Sequence, residues 1–316
     1  MSRLEELLTG AKSVALSGHI RPDGDCVGSV MSLYQYIKKN MPQIEVKVFL
    51  ETPSSVFGCV QGVEEIDSEM NTQQIFDVFI ALDCTNDRLG NAEAIFNNAK
   101  LKINIDHHIS NHGCGDINIV IPDASSTCEV VYDLLDSEKL DEEIAKTLYI
   151  GMVHDTGVFK YSNTSPKTLR IAADLISYGF DFPKIIDETF YEKTYVQTLV
   201  CSRAVSESVR FMDEKCIFSV VDQKMMNFYG VGPKDLDGVI NQLRTIKGIE
   251  CAIFMYPTGS MEYKVSLRSN GLVDVSKVAT FFGGGGHIRA SGCTMQGTVH
   301  DVINNLSAQI ALQLEQ

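Results

Sequence analysis

Between residues 11 and 160, short apolar runs alternate with stretches whose apolar positions recur every three or four residues. The runs 13–17 (SVALS), 45–50 (EVKVFL), 77–82 (DVFIAL) and 101–105 (LKINI) predict β-strands. The periodic stretches 27–39, 91–98, 125–136 and 141–154 predict helices. Strands that alternate with helices in this way predict a parallel sheet covered by helices on both faces. Residues 165–208 predict a further run of helices broken near Gly179. Ser165 stands at a cap position and Pro166 in the first turn.

Beyond about residue 209 the pattern changes. The segments 215–221 (KCIFSVV), 249–256 (IECAIFMY) and 262–268 (EYKVSLR) predict strands, and "YPTGSME" between the last two predicts a hairpin turn. Helical patterns recur at 222–229, 274–281 and 299–314. The expected fold class is α/β in two domains: 1–195 with a parallel sheet, 196–209 as a helical connector, and 210–316 as a smaller α/β domain. A chain of 316 residues favours two cores over one.

Composition narrows the class. Apolar content of 44% and charged content of 22% are those of a globular protein. No apolar run approaches the ~20 residues that a bilayer span needs. The start, MSRLEELLTGAKS, lacks the apolar centre of a signal peptide. The nine cysteines are scattered, with no CxxC pair. A cytoplasmic protein with no membrane partner is expected. The net charge of −14 resides wholly in residues 1–199, whereas residues 200–316 hold 11 basic and 11 acidic side chains. So acidic a chain repels long polyanions, which limits any nucleic-acid substrate to short lengths.

Some of that acid is placed at strand ends. His19, Asp23 and Asp25 follow the strand 13–17. Asp83 follows the strand 77–82 in "FIALDCT", and Asp106, His107 and His108 follow 101–105 in "KINIDHH". Open parallel sheets bind ligands outside the carboxyl ends of their strands, so groups spread over 90 positions of sequence converge there. Asp155, at the end of a helical run in "GMVHDTGVF", enters the same set. Carboxylates gathered in one cleft repel each other unless cations neutralise them. Mixed oxygen and imidazole donors suit Mn²⁺ better than Zn²⁺. Two such ions, about 3.5–4 Å apart, clamp the attacking and leaving oxygens of a phosphoryl displacement and generate hydroxide from water.

These segments resemble a known family. "HIRPDGDCVGS", "ALDCT", "IDHH" and "HDTGVF" are similar to the four motifs of the DHH phosphoesterase superfamily. "GGGGHIRASG" (283–292) is similar to the signature of its DHH-associated C-terminal domain. The five motifs stand in family order and span nearly the whole chain. The nearest subgroup comprises two-domain oligoribonucleases that also remove the 3′-phosphate of pAp (adenosine 3′,5′-bisphosphate). The resemblance implies an active site in the inter-domain cleft with two divalent cations, Mn²⁺ in first place. His19 and Asp23 would hold one ion, Asp25, His107 and Asp155 the other, and Asp83 would bridge them. His108 would contact the scissile phosphate and act in acid catalysis, with Asp106 orienting a histidine. Arg268, Gly284, Gly285, Gly286, His287 and Arg289 would bind substrate. Glycines admit a phosphate close to the backbone, and arginine offers it a fixed fork of donors.

The implied substrates are short RNA or DNA oligonucleotides, linear dinucleotides such as pApA, and pAp. Three readings compete. A manganese pyrophosphatase or polyphosphatase shares the first four motifs but uses a basic Ser-Arg-Lys-Lys segment not found here. A long single-strand exonuclease of the superfamily usually carries an extra OB-fold domain. A catalytically silent nucleotide-binding regulator should have lost ligands. Among the remaining candidates, Cys26, Cys84 and His154 read as packing, Arg88 either as a salt-bridge residue or as one that reaches the site, and Ser125–Thr127 as a helix start that the resemblance implies lies near the metal site as a candidate support. Monomer and homodimer are both left open.

Overall fold

The apolar runs of the first half lie side by side as parallel strands in the computed structural model, which describes residues 2–314. Its sheet comprises β1 (Ser13–Ser17), β2 (Glu45–Val48), β3 (Val78–Leu82), β4 (Leu101–Asp106) and β5 (Ile117–Val120), in the order β2-β1-β3-β4-β5. This order makes the boundary between β1 and β3 a topological switch point, where loops leave in opposite directions and open a crevice.

Alternation along the strands divides the core. Val14, Leu16, Val78, Ile80 and Leu82 face one cluster, while Ala15, Phe79 and Ala81 face another. The first cluster is closed by α2 (Gly24–Asn40), α4 (Thr127–Leu134), α5 (Glu142–Asp155) and α6 (Pro166–Ile176). Leu4 and Leu7 of α1 (Arg3–Leu7) join it. The second cluster is closed by α3 (Glu93–Asn98). Helix α7 (Phe182–Ile186) runs into a π-turn at Asp187–Tyr191. This first unit ends at Glu192.

The second unit begins at Lys193. Its sheet has the order β10-β11-β9-β8-β7-β6. The strands are β6 (Val209–Phe211), β7 (Cys216–Val220), β8 (Cys251–Gly259), β9 (Glu262–Ser269), β10 (Gly285–His287) and β11 (Ala290–Gln296). Among these described strands, only the β7–β8 pair is parallel. Helices α8 (Tyr195–Ser206), α9 (Gln223–Tyr229) and α10 (Val239–Arg244) pack on one face around Val200, Ile217 and Phe254. Helices α11 (Val275–Phe281) and α12 (Val299–Leu314) pack on the other around Ile253, Val265 and Leu267. The stretch expected as a connector is therefore mostly α8, whose Val200 and Ala204 are buried in the second unit.

Several short elements were not anticipated. β5 and β6 are edge strands of four and three residues, too short to stand out. β10 and β11 occupy the glycine-rich motif, where small residues hide the alternation of buried Ser291, Cys293 and Met295. α10 has only six residues. Among the described residues, no helix is long and apolar enough to cross a membrane.

Candidate active site

Each acidic or imidazole group of the first unit is fixed by the element that carries it. Asp23 caps α2, its Oδ1 accepting the amides of Asp25 and Cys26 at 3.1 Å each. Asp25 lies in the first turn of α2 and is buried. Its carboxylate accepts the amides of Thr127 (2.6 Å) and Cys128 (2.9 Å), the free donors at the start of α4. Asp83 follows β3 with a φ of 60°, a conformation that non-glycine residues seldom adopt and that collects at functional sites. Thr127 donates its hydroxyl to Asp83 Oδ1 at 2.9 Å.

Asp106 ends β4 and is almost wholly buried. Its Oδ1 accepts the amides of His107 (2.7 Å) and His108 (3.0 Å) and meets His108 Nδ1 at 2.8 Å. Its Oδ2 accepts Asn111 Nδ2 at 2.5 Å, and Asn111 also donates to Asn104 Oδ1. Asp155 ends α5, where Asn163 Nδ2 donates to its carbonyl at 3.2 Å.

These groups fall into two sets that share Asp83. His19 Nε2 is 3.4 Å from Asp83 Oδ2 and 3.6 Å from Asp23 Oδ1. His107 Nε2 is 3.8 Å from Asp83 Oδ1, 3.9 Å from Asp25 Oδ2 and 3.4 Å from Asp155 Oδ2. One oxygen of Asp83 thus faces each set. Asp25, His107 and Asp155 offer one donor atom each, all within 4.8 Å of one another, as do His19, Cys26 and Asp83.

The tautomers decide what this arrangement can hold. His19 Nδ1 is 2.9 Å from the Ile20 carbonyl, and His107 Nδ1 is 3.3 Å from that of Ala124. A carbonyl only accepts, so both Nδ1 atoms carry hydrogen. In the neutral ring each Nε2 then presents a lone pair to carboxylates that are also acceptors. His107 Nε2 is buried with no hydrogen-bond partner. Acceptor facing acceptor is a repulsive geometry, and a cation or a proton between the atoms removes the repulsion. Backbone-anchored Nδ1 with Nε2 turned inward is the usual presentation of a metal-binding imidazole. The donor set therefore fits divalent cations.

Titration behaviour follows the same logic. Burial pushes the Asp25 carboxyl well above the usual range, and the charges of Asp83 and Asp155 add to this. Asp155 rises to about 7, from burial first and then from Asp83 and Asp23. Burial disfavours the His19 cation, yet hydrogen bonds with Asp23 and Asp83 outweigh it and raise the ring to about 10. His108 rises to about 9, chiefly through its hydrogen bond to Asp106. Cys26, which the sequence assigned to packing, points its Sγ at the His19 carbonyl, and burial pushes its thiol well up. Asn104, Asn111 and Asn163 were missed as supports, whereas Thr127 belongs to the stretch Ser125–Thr127 that the sequence offered as a support near the site.

The other predicted residues belong to the second unit. Arg268 is half-buried on β9 and donates from Nη1 to the Leu267 carbonyl at 3.0 Å. Arg289 Nη1 donates to the Gly271 carbonyl and to Ser269 Oγ, so the guanidinium braces the loop after β9. Gly285, Gly286 and His287 form exposed β10. A Cβ on Gly284 would lie 2.2 Å from the Gly292 carbonyl oxygen, and Gly286 has a φ of 139°, so side chains are excluded at both.

Known proteins resemble this chain in sequence and fold. The N-terminal domain of the DHH family matches residues 13–152, and the DHHA1 domain matches residues 213–315. A bifunctional oligoribonuclease and PAP phosphatase NrnA of Mycoplasma pneumoniae is 30% identical over 309 residues, 95% of this chain and 93% of that protein. The protein of the same name in Bacillus subtilis is 27% identical over 288 residues, 90% of this chain and 89% of that one. The crystal structure of an exopolyphosphatase-related protein from Bacteroides fragilis superposes with a TM-score of 0.89 at 24% identity, covering 98% of this chain and 94% of that one, which extends the likeness to the fold. The chain belongs to the DHH phosphoesterase family, as a member that joins a DHH domain to a DHHA1 domain.

Proposed function

We propose that this cytoplasmic enzyme hydrolyses short oligoribonucleotides, including linear dinucleotides such as pApA, to mononucleotides and removes the 3′-phosphate of pAp. The observation that carries the reading is Asp83, which turns one oxygen toward each of two imidazoles whose Nδ1 atoms are anchored on carbonyls. His19, Asp23 and Asp83 would hold one divalent cation, and Asp25, His107, Asp155 and Asp83 a second, with Mn²⁺ favoured by the oxygen and imidazole donors. Bound there, such ions supply Lewis-acid stabilisation of phosphoryl oxygens and activation of water.

The chain supplies the rest. His108 keeps its proton at neutral pH because Asp106 holds Nδ1. It is therefore suited to give the proton on Nε2 to the leaving oxygen. Asp106 orients that ring, and Asn111, which also donates to Asn104, orients Asp106. In the second unit, Arg268 and the bare backbone of Gly284–Gly286, with His287 and Arg289 beside it, are the groups suited to a terminal phosphate. The acidic first unit favours short substrates. The NrnA relatives, named for oligoribonuclease and PAP phosphatase activity, support the same substrate class.

The test is turnover of pAp, pApA, a five-nucleotide RNA and pyrophosphate with Mn²⁺, for the wild type and for Asp83→Ala. Hydrolysis of the nucleotides, lost by more than about 100-fold in the variant, is the expected result. Cleavage of pyrophosphate alone, or no turnover with Mn²⁺ bound, would overturn the reading.

A further inference from the structure

His154 precedes Asp155 and has no part in the chemistry proposed above, yet its half-buried ring is packed by three elements. Its ring lies between Phe57, at 5.1 Å between centroids, and Phe190, at 5.4 Å. Phe57 comes from the 3₁₀ turn Ser55–Cys59 and Phe190 from the π-turn Asp187–Tyr191. His154 Nε2 meets Thr189 Oγ1 of that π-turn at 3.2 Å. Thr189 spends its own hydroxyl hydrogen on the Ile185 carbonyl at 2.8 Å, so its oxygen accepts from His154 Nε2–H. Nε2 therefore carries a hydrogen, and the ring is held on Thr189.

The same side chain fills a notch in α2. A Cβ built on Gly24 would lie 2.2 Å from His154 Cγ and 2.4 Å from its Cβ. One turn further along, a Cβ on Gly28 would lie 2.9 Å from Gly151 Cα, and one on Gly151 would lie 2.2 Å from Cys128 Sγ and 3.1 Å from Asp25 Oδ1. Helices α2 and α5 thus approach through glycines, with His154 keyed into the last gap. Gly24 stands between Asp23 and Asp25, and His154 stands beside Asp155. The contact joins the backbone that carries three of the acidic groups.

We propose that His154 is a positioning residue: held by Phe57, Phe190 and Thr189 and seated on Gly24, it sets the separation of Asp155 from Asp23 and Asp25 and so the affinity for divalent cations. The inference rests on the metal reading above and adds a residue outside it. Rigid outer supports of this kind are typically worth ten- to a hundredfold in metal affinity.

The experiment is Mn²⁺ titration by electron paramagnetic resonance of the wild type, His154→Ala, His154→Gln, Thr189→Val and the Thr189→Val/His154→Ala double variant. Circular dichroism and thermal melts of the metal-free proteins accompany it. The expected result is about a tenfold weaker Mn²⁺ affinity in folded His154→Ala, a smaller loss in Thr189→Val, and partial recovery in His154→Gln, which keeps a donor for Thr189. In the double variant Thr189→Val adds nothing, because its effect passes through a ring already gone. A purely structural role predicts a lower melting temperature with unchanged Mn²⁺ binding. That outcome in folded His154→Ala overturns the inference alone, as do independently adding losses in the double variant. Should His154→Ala not fold, wild-type Mn²⁺ affinity in Thr189→Val overturns it. A wild type that takes up no Mn²⁺ overturns both this inference and the reading beneath it.

Discussion

The two halves of the acidic centre are built alike and exposed differently. Each uses an aspartate fixed by a helix start: Asp23 caps its own helix, and Asp25 is held by the first amides of α4. The side chain of Asp23 is 64% exposed, however, and that of Asp25 is 2% exposed. The inner half therefore keeps a carboxylate ready in low dielectric, where charge is costly until a cation arrives. The outer half meets solvent through Asp23 alone, since His19 is 6% and Asp83 3% exposed. The contrast teaches that one shared carboxylate, Asp83, can face two groups of unequal burial.

The largest effect should come from the inner half. Asp155→Asn and Asp25→Asn remove charges whose burial raises their own carboxyl range. Mn²⁺ affinity should fall by more than about 100-fold, beyond what outer supports cost. Metal-free Asp155→Asn should nevertheless melt at or above the wild-type temperature near pH 8, since the strained charge is gone. Asp23→Asn keeps a good helix cap and should weaken one Mn²⁺ equivalent while sparing the other. Calorimetric titration distinguishes the cases. Equal losses at both equivalents in Asp23→Asn would dissolve the comparison.

Next in size is the response to pH. Asp155, Asp25, His19 and His108 all bind protons more tightly folded than unfolded. For the two acids, the cost of the buried charge is complete above the folded value, about 7 for Asp155, and relieved as pH falls through it. For the imidazoles, stabilisation is complete below their unfolded value and lost as pH rises through about 9 and about 10. The signs agree, so the metal-free protein should melt at a lower temperature near pH 8.5 than near pH 6.5. Mn²⁺ held by Asp25, Asp155 and His19 must displace their protons, so its stabilisation should grow over the same interval. Thermal melts with and without Mn²⁺ at several pH values check this. A metal-free melting temperature that rises with pH would contradict it.

Much of this was written in the chain, but unevenly. β1 and β3 are apolar through both faces and β4 along one, and His19, Asp83 and Asp106 stand where such runs stop, so the strands and the candidate site were legible together. The supports were harder to see. Asn163 sits in a turn where polar residues are ordinary, and its donation to Asp155 depends on a fold-wide approach. Gly24 and Gly28 are inconspicuous in sequence and acquire meaning only from α5 pressing on them. β11 was masked because an alanine and a glycine occupy its first two outward positions. Periodicity reports which face is buried, whereas support of a charged group depends on what arrives from another element.

Thr127 gives the smallest and sharpest test. Ser126 is the cap of α4, accepting the Glu129 amide at 3.1 Å, and this accounts for a hydroxyl at the helix start. The neighbouring hydroxyl acts elsewhere. Thr127 Oγ1 donates to Asp83 Oδ1, on the oxygen that faces the inner half, while the Thr127 amide holds Asp25. Thr127→Val keeps the amide and the shape and deletes that one donor. Asp83 then loses a hydrogen bond on one oxygen only. Stability should fall by about 1 kcal/mol, and the inner Mn²⁺ equivalent should weaken by about tenfold. The outer equivalent, served by Oδ2, should hold. Thr127→Ser, which restores the donor, should recover the inner equivalent. A loss shared evenly by both equivalents would mean that Asp83 moves as a rigid bridge and that its two oxygens cannot be tuned apart.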